Sequence, residues 1–525
     1  MAKLLYPVNV QTFEVLIKDN YIYVDKTDLV YSLVKECRIC FLSRPRRFGK
    51  SLLLSTIQAY FEGKQELFKG LKIESLEKEW CAYKVFHLDM SGIDWSLPNA
   101  LHARLDWYLS SWEAEYGIKS SDINPSSRFV SIIKKAAEKS GRRVVVLVDE
   151  YDNPLLDVLG VDDELFNCNR MILKAFYSAF KLADAYLKFV FITGVSKFPQ
   201  VSIFSGFNQP TDISMISRYD KICGITDDEL HQYFAQPILN MAANLGCSSD
   251  VVYQQLKDRY DGYHFSEAMI DIYNPFSLIN ALFAQKIKDY WFASGSTSYL
   301  IRLLNNFNDS IDQFAGEEYS ADEFLIYHPD YENPLPVLYQ SGYLSIKEYK
   351  HEEEQFVLDF PNKEVKKALM QIVAANYLKT TENKIGSLAK KVVLALNRGK
   401  IDVFFASLTS FLASIPYSMR RKSDEVERER YFQYTFYLIL RLISSFNVKL
   451  EQEQSEGRVD CIVETTKYIY IFEFKLDGSA KNALKQIDDK GYARPYGVDN
   501  RILFKIGVNF SSQTGTISDW QYIIK

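Results

Sequence analysis

No run of apolar residues approaches the roughly eighteen needed to cross a bilayer, and the start, Met-Ala-Lys-Leu-Leu-Tyr-Pro-Val, has no apolar core for a secretory signal. These absences predict a cytoplasmic chain with no membrane partner. The seven cysteines have no framework spacing, which argues against a disulfide scaffold and makes reduced thiols the expectation. Cys37 and Cys40 form a two-spaced pair, but no second pair exists, so core packing is expected there rather than a metal. The six histidines are dispersed, and none is assigned to zinc. An excess of positive charge is also missing: 62 Lys and Arg face 67 Asp and Glu, a formal charge of −5. Such a surface does not coat nucleic acid indiscriminately, so any nucleic-acid site must be local. Internal repeats and low-complexity linkers are absent as well.

What remains is a chain of 525 residues, 47% hydrophobic, long enough for several cores. Up to residue 226, buried-strand text at 21–24, 38–42, 84–88, 144–148 and 188–192 alternates with helical text at 51–61, 99–116 and 127–140. That alternation predicts crossover units and an α/β domain with a mainly parallel sheet flanked by helices. Residues 227–397 read as a helical lid or connector, interrupted by loops at 260–265 and 273–276. A mixed-charge stretch at 420–430, leading into an apolar helix at 431–443, opens a last module over 398–525.

Two groups of residues carry chemistry. The first is Arg44-Pro45-Arg46-Arg47-Phe48-Gly49-Lys50-Ser51 between a strand and a helix. Gly49 lets the backbone approach a polyphosphate, and the first amides of the helix point at it. Lys50 reaches the outer phosphates, and the Ser51 hydroxyl can ligate magnesium. The usual first glycine is replaced by Arg44, and Pro45 after it keeps a turn feasible. Asp149 and Glu150 end a β-branched run, where parallel sheets bind ligands. Asp149 is expected to hold magnesium through water and Glu150 to polarise the attacking water. Thr193 or Ser196, ending the next strand, can sense the terminal phosphate. Arg46, Arg47 or Arg218 can stabilise transition-state charge in this subunit or a neighbour.

The second group begins with a hairpin, 457–464 and 468–475, turning at Thr465-Thr466-Lys467. Folding it places Asp460 opposite Phe472 or Glu473, and Glu473 and Lys475 project from one face. Two close carboxylates call for a cation, and magnesium prefers such hard oxygen ligands. The pair can hold one or two magnesium ions acting on a phosphodiester, with Lys475 assisting deprotonation or binding phosphate. Glu429 can add a carboxylate. Gln486 and Lys490, on one face of the following helix, can contact water and phosphate.

Tyr23-Val24-Asp25-Lys26-Thr27, residues 44–51, Val148-Asp149-Glu150-Tyr151-Asp152, Thr193-Gly194-Val195-Ser196-Lys197-Phe198 and Tyr260-Asp261-Gly262-Tyr263 together resemble a prokaryotic family of AAA-ATPase-like proteins. Gly457-Arg458-Val459-Asp460, Glu473-Phe474-Lys475 and Gln486-Ile487 resemble the PD-(D/E)XK nuclease superfamily, with valine where its name has proline. The resemblance implies a P-loop NTPase module in front of a restriction-endonuclease-like α/β domain. The joint expectation is an ATP- and magnesium-dependent ATPase coupled to a nuclease, acting on DNA ahead of RNA, with oligomers compatible. The alternative is an ATP-dependent switch whose nuclease-like domain only binds a partner.

Overall fold

Val144–Asp149 is buried at every position, as a β-branched strand covered by helices on both faces must be. It is β3 of a five-stranded sheet built from β1 (Ile39–Ser43), β2 (Val85–Asp89), β3, β4 (Leu187–Gly194) and β5 (Thr211–Asp212). The order is β2-β3-β4-β1-β5, and all neighbours are parallel. The computed structural model describes residues 5–119, 122–198, 210–291, 314–325, 333–377, 380–414, 436, 439–440, 447–454 and 457–525. It divides into two compact units, residues 1–365 and 366–525. Helices Ala100–Tyr116, Pro125–Ser140 and Asp163–Tyr177 supply much of the core on one face of the sheet.

Because β4 lies between β1 and β3, the carboxyl ends of these three strands share one sheet edge. Leu42 pairs with Thr193, and Val148 with Ile192. The junction is tight at Gly194, where an added Cβ would lie 2.6 Å from Tyr151 and 2.7 Å from Asp152. Gly194→Ala is therefore expected to destabilise the chain by about 1–3 kcal/mol, measured as a lower midpoint in urea. A midpoint equal to the parent's would contradict that crowding.

The same unit continues with β6 (Ile225–Thr226) paired antiparallel to β7 (Ile272–Tyr273), and with helices Asp227–Leu245, Ser249–Tyr260 and Pro275–Ala284 around their own core. Thr226 and Glu229 form a capping box that fixes the start of the first helix. β8 (Glu317–Tyr319), β9 (Ser345–Lys350) and β10 (Gln355–Asp359) make an antiparallel sheet ordered β8-β10-β9. The helical reading of this stretch had no place for it: β8 spans three residues and none of them is buried. Residues 21–24, expected as a strand, contribute an isolated Leu5–Tyr21 bridge. Cys37 and Cys40, expected as packed thiols, are joined by a disulfide. Their spacing places the Cα atoms 6.3 Å apart, within disulfide reach. The boundary between the units falls inside the segment 227–397.

In the second unit, β11 (Asn447–Gln454), β12 (Gly457–Glu464), β13 (Tyr468–Leu476), β14 (Ile502–Ser511) and β15 (Thr516–Ile524) follow in spatial order. Only β13 and β14 are parallel, and helix Ala480–Asp489 makes the crossover between them. Its apolar side, Ala480, Ala483, Leu484 and Ile487, is buried. Gly507 lets it lie close, since a Cβ there would sit 2.1 Å from the Ala480 carbonyl oxygen. Among the described residues no helix is long and apolar enough to cross a membrane.

Candidate active sites

The turn after β1 is built from residues that face inward. Arg44 is 1% exposed. It donates to the carbonyls of Ser43 at 2.9 Å, Ser214 at 2.8 Å and Tyr219 at 3.3 Å. Its guanidinium lies 3.9 Å from the centre of the Phe265 ring. Phe48 packs edge-on against Tyr263 and Phe265. The place of a missing glycine is thus taken by a buried strut between the loop and the 260s segment, a role the spacing alone did not reveal. Gly49 has φ +91° and stands at the start of helix Lys50–Phe61. The first amides of that helix open beside it, and Ser51 lies in its first turn.

Lys50 is buried, and its ammonium donates to the carbonyls of Arg44 at 3.0 Å and Pro45 at 3.1 Å. Burial lowers its pKa, while Glu150, Asp149 and Asp152 act to hold it up. The expected partners therefore converge. Thr193 donates to Asp149 Oδ1 at 2.6 Å, fixing the carboxylate across two strands. Glu150 occupies φ +53° and accepts from Asn153. Burial raises its carboxyl, against the charges of Lys50 and Arg46. Arg47 lies 5.1 Å from the Phe276 ring centre, and Arg218 pairs with Glu36.

Sequence reading missed Asp152, although an acid among buried neighbours was its signal. Asp152 accepts from the Val195 amide at 3.0 Å and the Ser196 amide at 2.6 Å, locking the segment after Thr193 to the turn after Glu150. Beside Gly49 opens an apolar cleft of about 100 Å³, lined among others by Ile22, Val24, Lys26, Cys223, Phe234 and Ile279.

Burial pushes Asp152 up to about 6, and Asp261 and Glu364 each up to about 7. A carboxyl raised on folding binds more protons in the folded state. Its contribution is greatest below its unfolded value and is lost as pH rises through the folded value. The nucleotide-free chain should thus lose stability from about pH 4 to about pH 7 through these groups. Both Asp261 oxygens lack hydrogen-bond partners, so Asp261→Asn should recover a few degrees of melting midpoint at about pH 8 relative to about pH 5. A variant with the parent's full pH dependence would refute this account.

In the second unit, Asp460 lies one step beyond the Cys461–Phe472 pair, opposite Glu473, and accepts from the Phe474 amide at 2.8 Å. Glu473 is 1% exposed, Gln486 donates to its Oε1, and its Oε2 has no hydrogen-bond partner. Lys475 Nζ lies 3.7 Å from Glu473 Oε1. Burial, then the Asp460 charge, pushes the Glu473 carboxyl up to about 8 against the pull of Lys475. Asp460, Glu473, Lys475 and Gln486 are therefore brought together. Lys490 is exposed at the end of the helix. Glu429 lies outside the described residues. Among the described residues no group of three or more His, Cys, Asp or Glu that could hold a metal ion is found. An orphaned buried oxygen beside a second carboxylate suits a hard divalent cation.

Residues 7–204 match an AAA-ATPase-like family described as "Predicted AAA-ATPase", and residues 427–520 match the PD-(D/E)XK nuclease superfamily. Over 528 aligned positions the chain is 31% identical to the "Uncharacterized protein in vnfD 5'region" of Azotobacter chroococcum mcd 1, with 98% of each chain covered. The chain belongs to the AAA-ATPase-like family. Its C-terminal domain is of the PD-(D/E)XK nuclease superfamily, and the antiparallel hairpin followed by a helix and a parallel strand is the scaffold carrying that site. In this AAA-ATPase-like chain the matched segment ends at 204, whereas Ser214, Tyr219 and Phe265, which hold Arg44, lie beyond it.

Proposed function

We propose that the N-terminal domain binds and hydrolyses ATP with magnesium, and that the C-terminal domain cleaves nucleic acid, DNA ahead of RNA. The observation that carries the first half is Lys50, buried at the start of helix Lys50–Phe61 within the field of Asp149, Glu150 and Asp152. Its ammonium now rests on two carbonyls, a cradle it can exchange for the outer phosphates. Helix amides after Gly49 receive the inner phosphates, and the adjoining apolar cleft suits the flat face of a base. Glu150 is the base toward the attacking water, Thr193 holds Asp149 in place, and Ser51 with Asp149 would hold magnesium. Arg46, whose charge reaches Glu150, is the transition-state cation in this reading, with Arg47 as the candidate acting on a neighbouring subunit.

Asp460 and Glu473 would hold the second magnesium site, with Lys475 directed at the phosphodiester. At either site the metal lends Lewis acidity that screens phosphate charge. Because ATP and nucleic acid are both available there, we assign the chain to the cytoplasm. The test measures phosphate release from ATP and cleavage of single- and double-stranded DNA and RNA by the full chain with magnesium or manganese. Turnover and cutting support the reading. ATP binding without either would instead favour a nucleotide-gated scaffold.

A further inference from the structure

The turn that follows β3 folds back on itself. Glu150 leaves the strand in the left-handed region, at φ +53°, and its carbonyl accepts from the Asn153 backbone amide at 3.1 Å. The Asn153 side chain thereby comes beside the Glu150 carboxylate. Its Nδ2 donates to Glu150 Oε2 and, at 3.5 Å, to the carbonyl of Met90, the residue after β2. A primary amide carries both its hydrogens on nitrogen and only acceptor capacity on oxygen. Both partners here are acceptors, so the amide has one orientation: half a turn would set its oxygen against a carboxylate and a carbonyl.

The seat of that amide lies in the sheet as well as in the turn. Met90 donates its own amide to the Asp149 carbonyl at 3.1 Å, and its carbonyl also accepts from the indole of the buried Trp95 at 3.2 Å. On the far side, the Pro154 carbonyl accepts from the buried Asn169 side chain at 2.8 Å, which ties the short helix Asn153–Leu156 to helix Asp163–Tyr177. With Oε2 engaged, Oε1 is the Glu150 oxygen left to take a proton from water. Burial is the largest influence on Glu150 and favours the neutral acid, as do the neighbouring charges of Asp149 and Asp152. Lys50, Arg46 and the Asn153 amide favour the charged base.

We propose that Asn153 is a positioning residue of the ATPase site: its side-chain amide, anchored on the Met90 carbonyl, holds Glu150 by Oε2 and presents Oε1 to the attacking water. The role rests on the ATP hydrolysis proposed above.

The test follows phosphate release from ATP with magnesium by the full chain across pH, with the melting midpoint of each variant as a check on folding. Asn153→Ala should lower kcat about tenfold to a hundredfold, the scale at which a displaced general base loses its advantage, and leave KM within about twofold. The acid limb of the kcat profile should move to higher pH, because the carboxylate loses a donor to its charged form while Lys50, Arg46, Asp149 and Asp152 stay in place. Asn153→Asp, the same shape with no hydrogens to give, should lower kcat at least as far and move the limb the same way. In a Glu150→Gln background, Asn153→Ala should change the residual kcat by less than about twofold, because the two act through one bond. Parent-like kcat in both Asn153 variants, an acid limb that stays where it was, or a loss that adds in full to that of Glu150→Gln overturns the proposal while leaving hydrolysis standing. A parent that releases no phosphate, or a Glu150→Gln variant with the parent's kcat, fails the hydrolytic reading of Glu150 and takes this role with it.

Discussion

Lys50→Ala is expected to reduce kcat/KM for ATP by about a thousandfold, the scale seen when a preorganised charge is removed from a polar site. The reason lies in what surrounds the ammonium. Asp149, Glu150 and Asp152 all act on Lys50, so its loss leaves a pocket dominated by acids where a polyanion must sit. In the parent, ATP with magnesium should raise the melting midpoint through binding to the folded state. In the variant that shift should vanish. Without nucleotide the variant should melt close to the parent, since removing a desolvated cation offsets the loss of its two carbonyl contacts. Calorimetric ATP binding equal to the parent's would remove Lys50 from the site and the ATPase reading with it.

Glu473→Gln is expected to lower metal-dependent cleavage by about a hundredfold to a thousandfold, the rate equivalent of several kcal/mol of charge stabilisation. Glutamine keeps the shape and can still meet Gln486, but it offers no negative charge to a cation. The parent's own metal affinity should rise with pH until about 8, because a cation must displace the proton that burial holds on Glu473. ATP hydrolysis should stay within about twofold of the parent, as expected for substitutions without shared partners. Plasmid nicking with manganese and phosphate release, measured on the same preparation, separate the two effects. Cleavage that survives the substitution would assign the cutting to other residues.

Much of this geometry was legible because it is local. Glycine, lysine and serine must be contiguous to open a helix onto a phosphate, and acids ending a β-branched run mark the ligand-binding edge of a parallel sheet. The hairpin likewise announced itself by two β-rich runs around a short polar turn, and Asp460 stands opposite Glu473 as its folding implied. What escaped depends on partners far away in the chain. Arg44 became a buried strut only because Ser214, Tyr219 and Phe265 come from beyond residue 210. The sheet β8-β10-β9 was hidden by a three-residue strand with a polar surface.

Arg44 over the Phe265 ring, and Phe48 edge-on against it, make the loop after β1 a wall shared with a segment more than two hundred residues downstream. A fragment stopping where the family match stops, at residue 204, would therefore strip the back from that wall and leave the Arg44 guanidinium with the Ser43 carbonyl alone of its three acceptors.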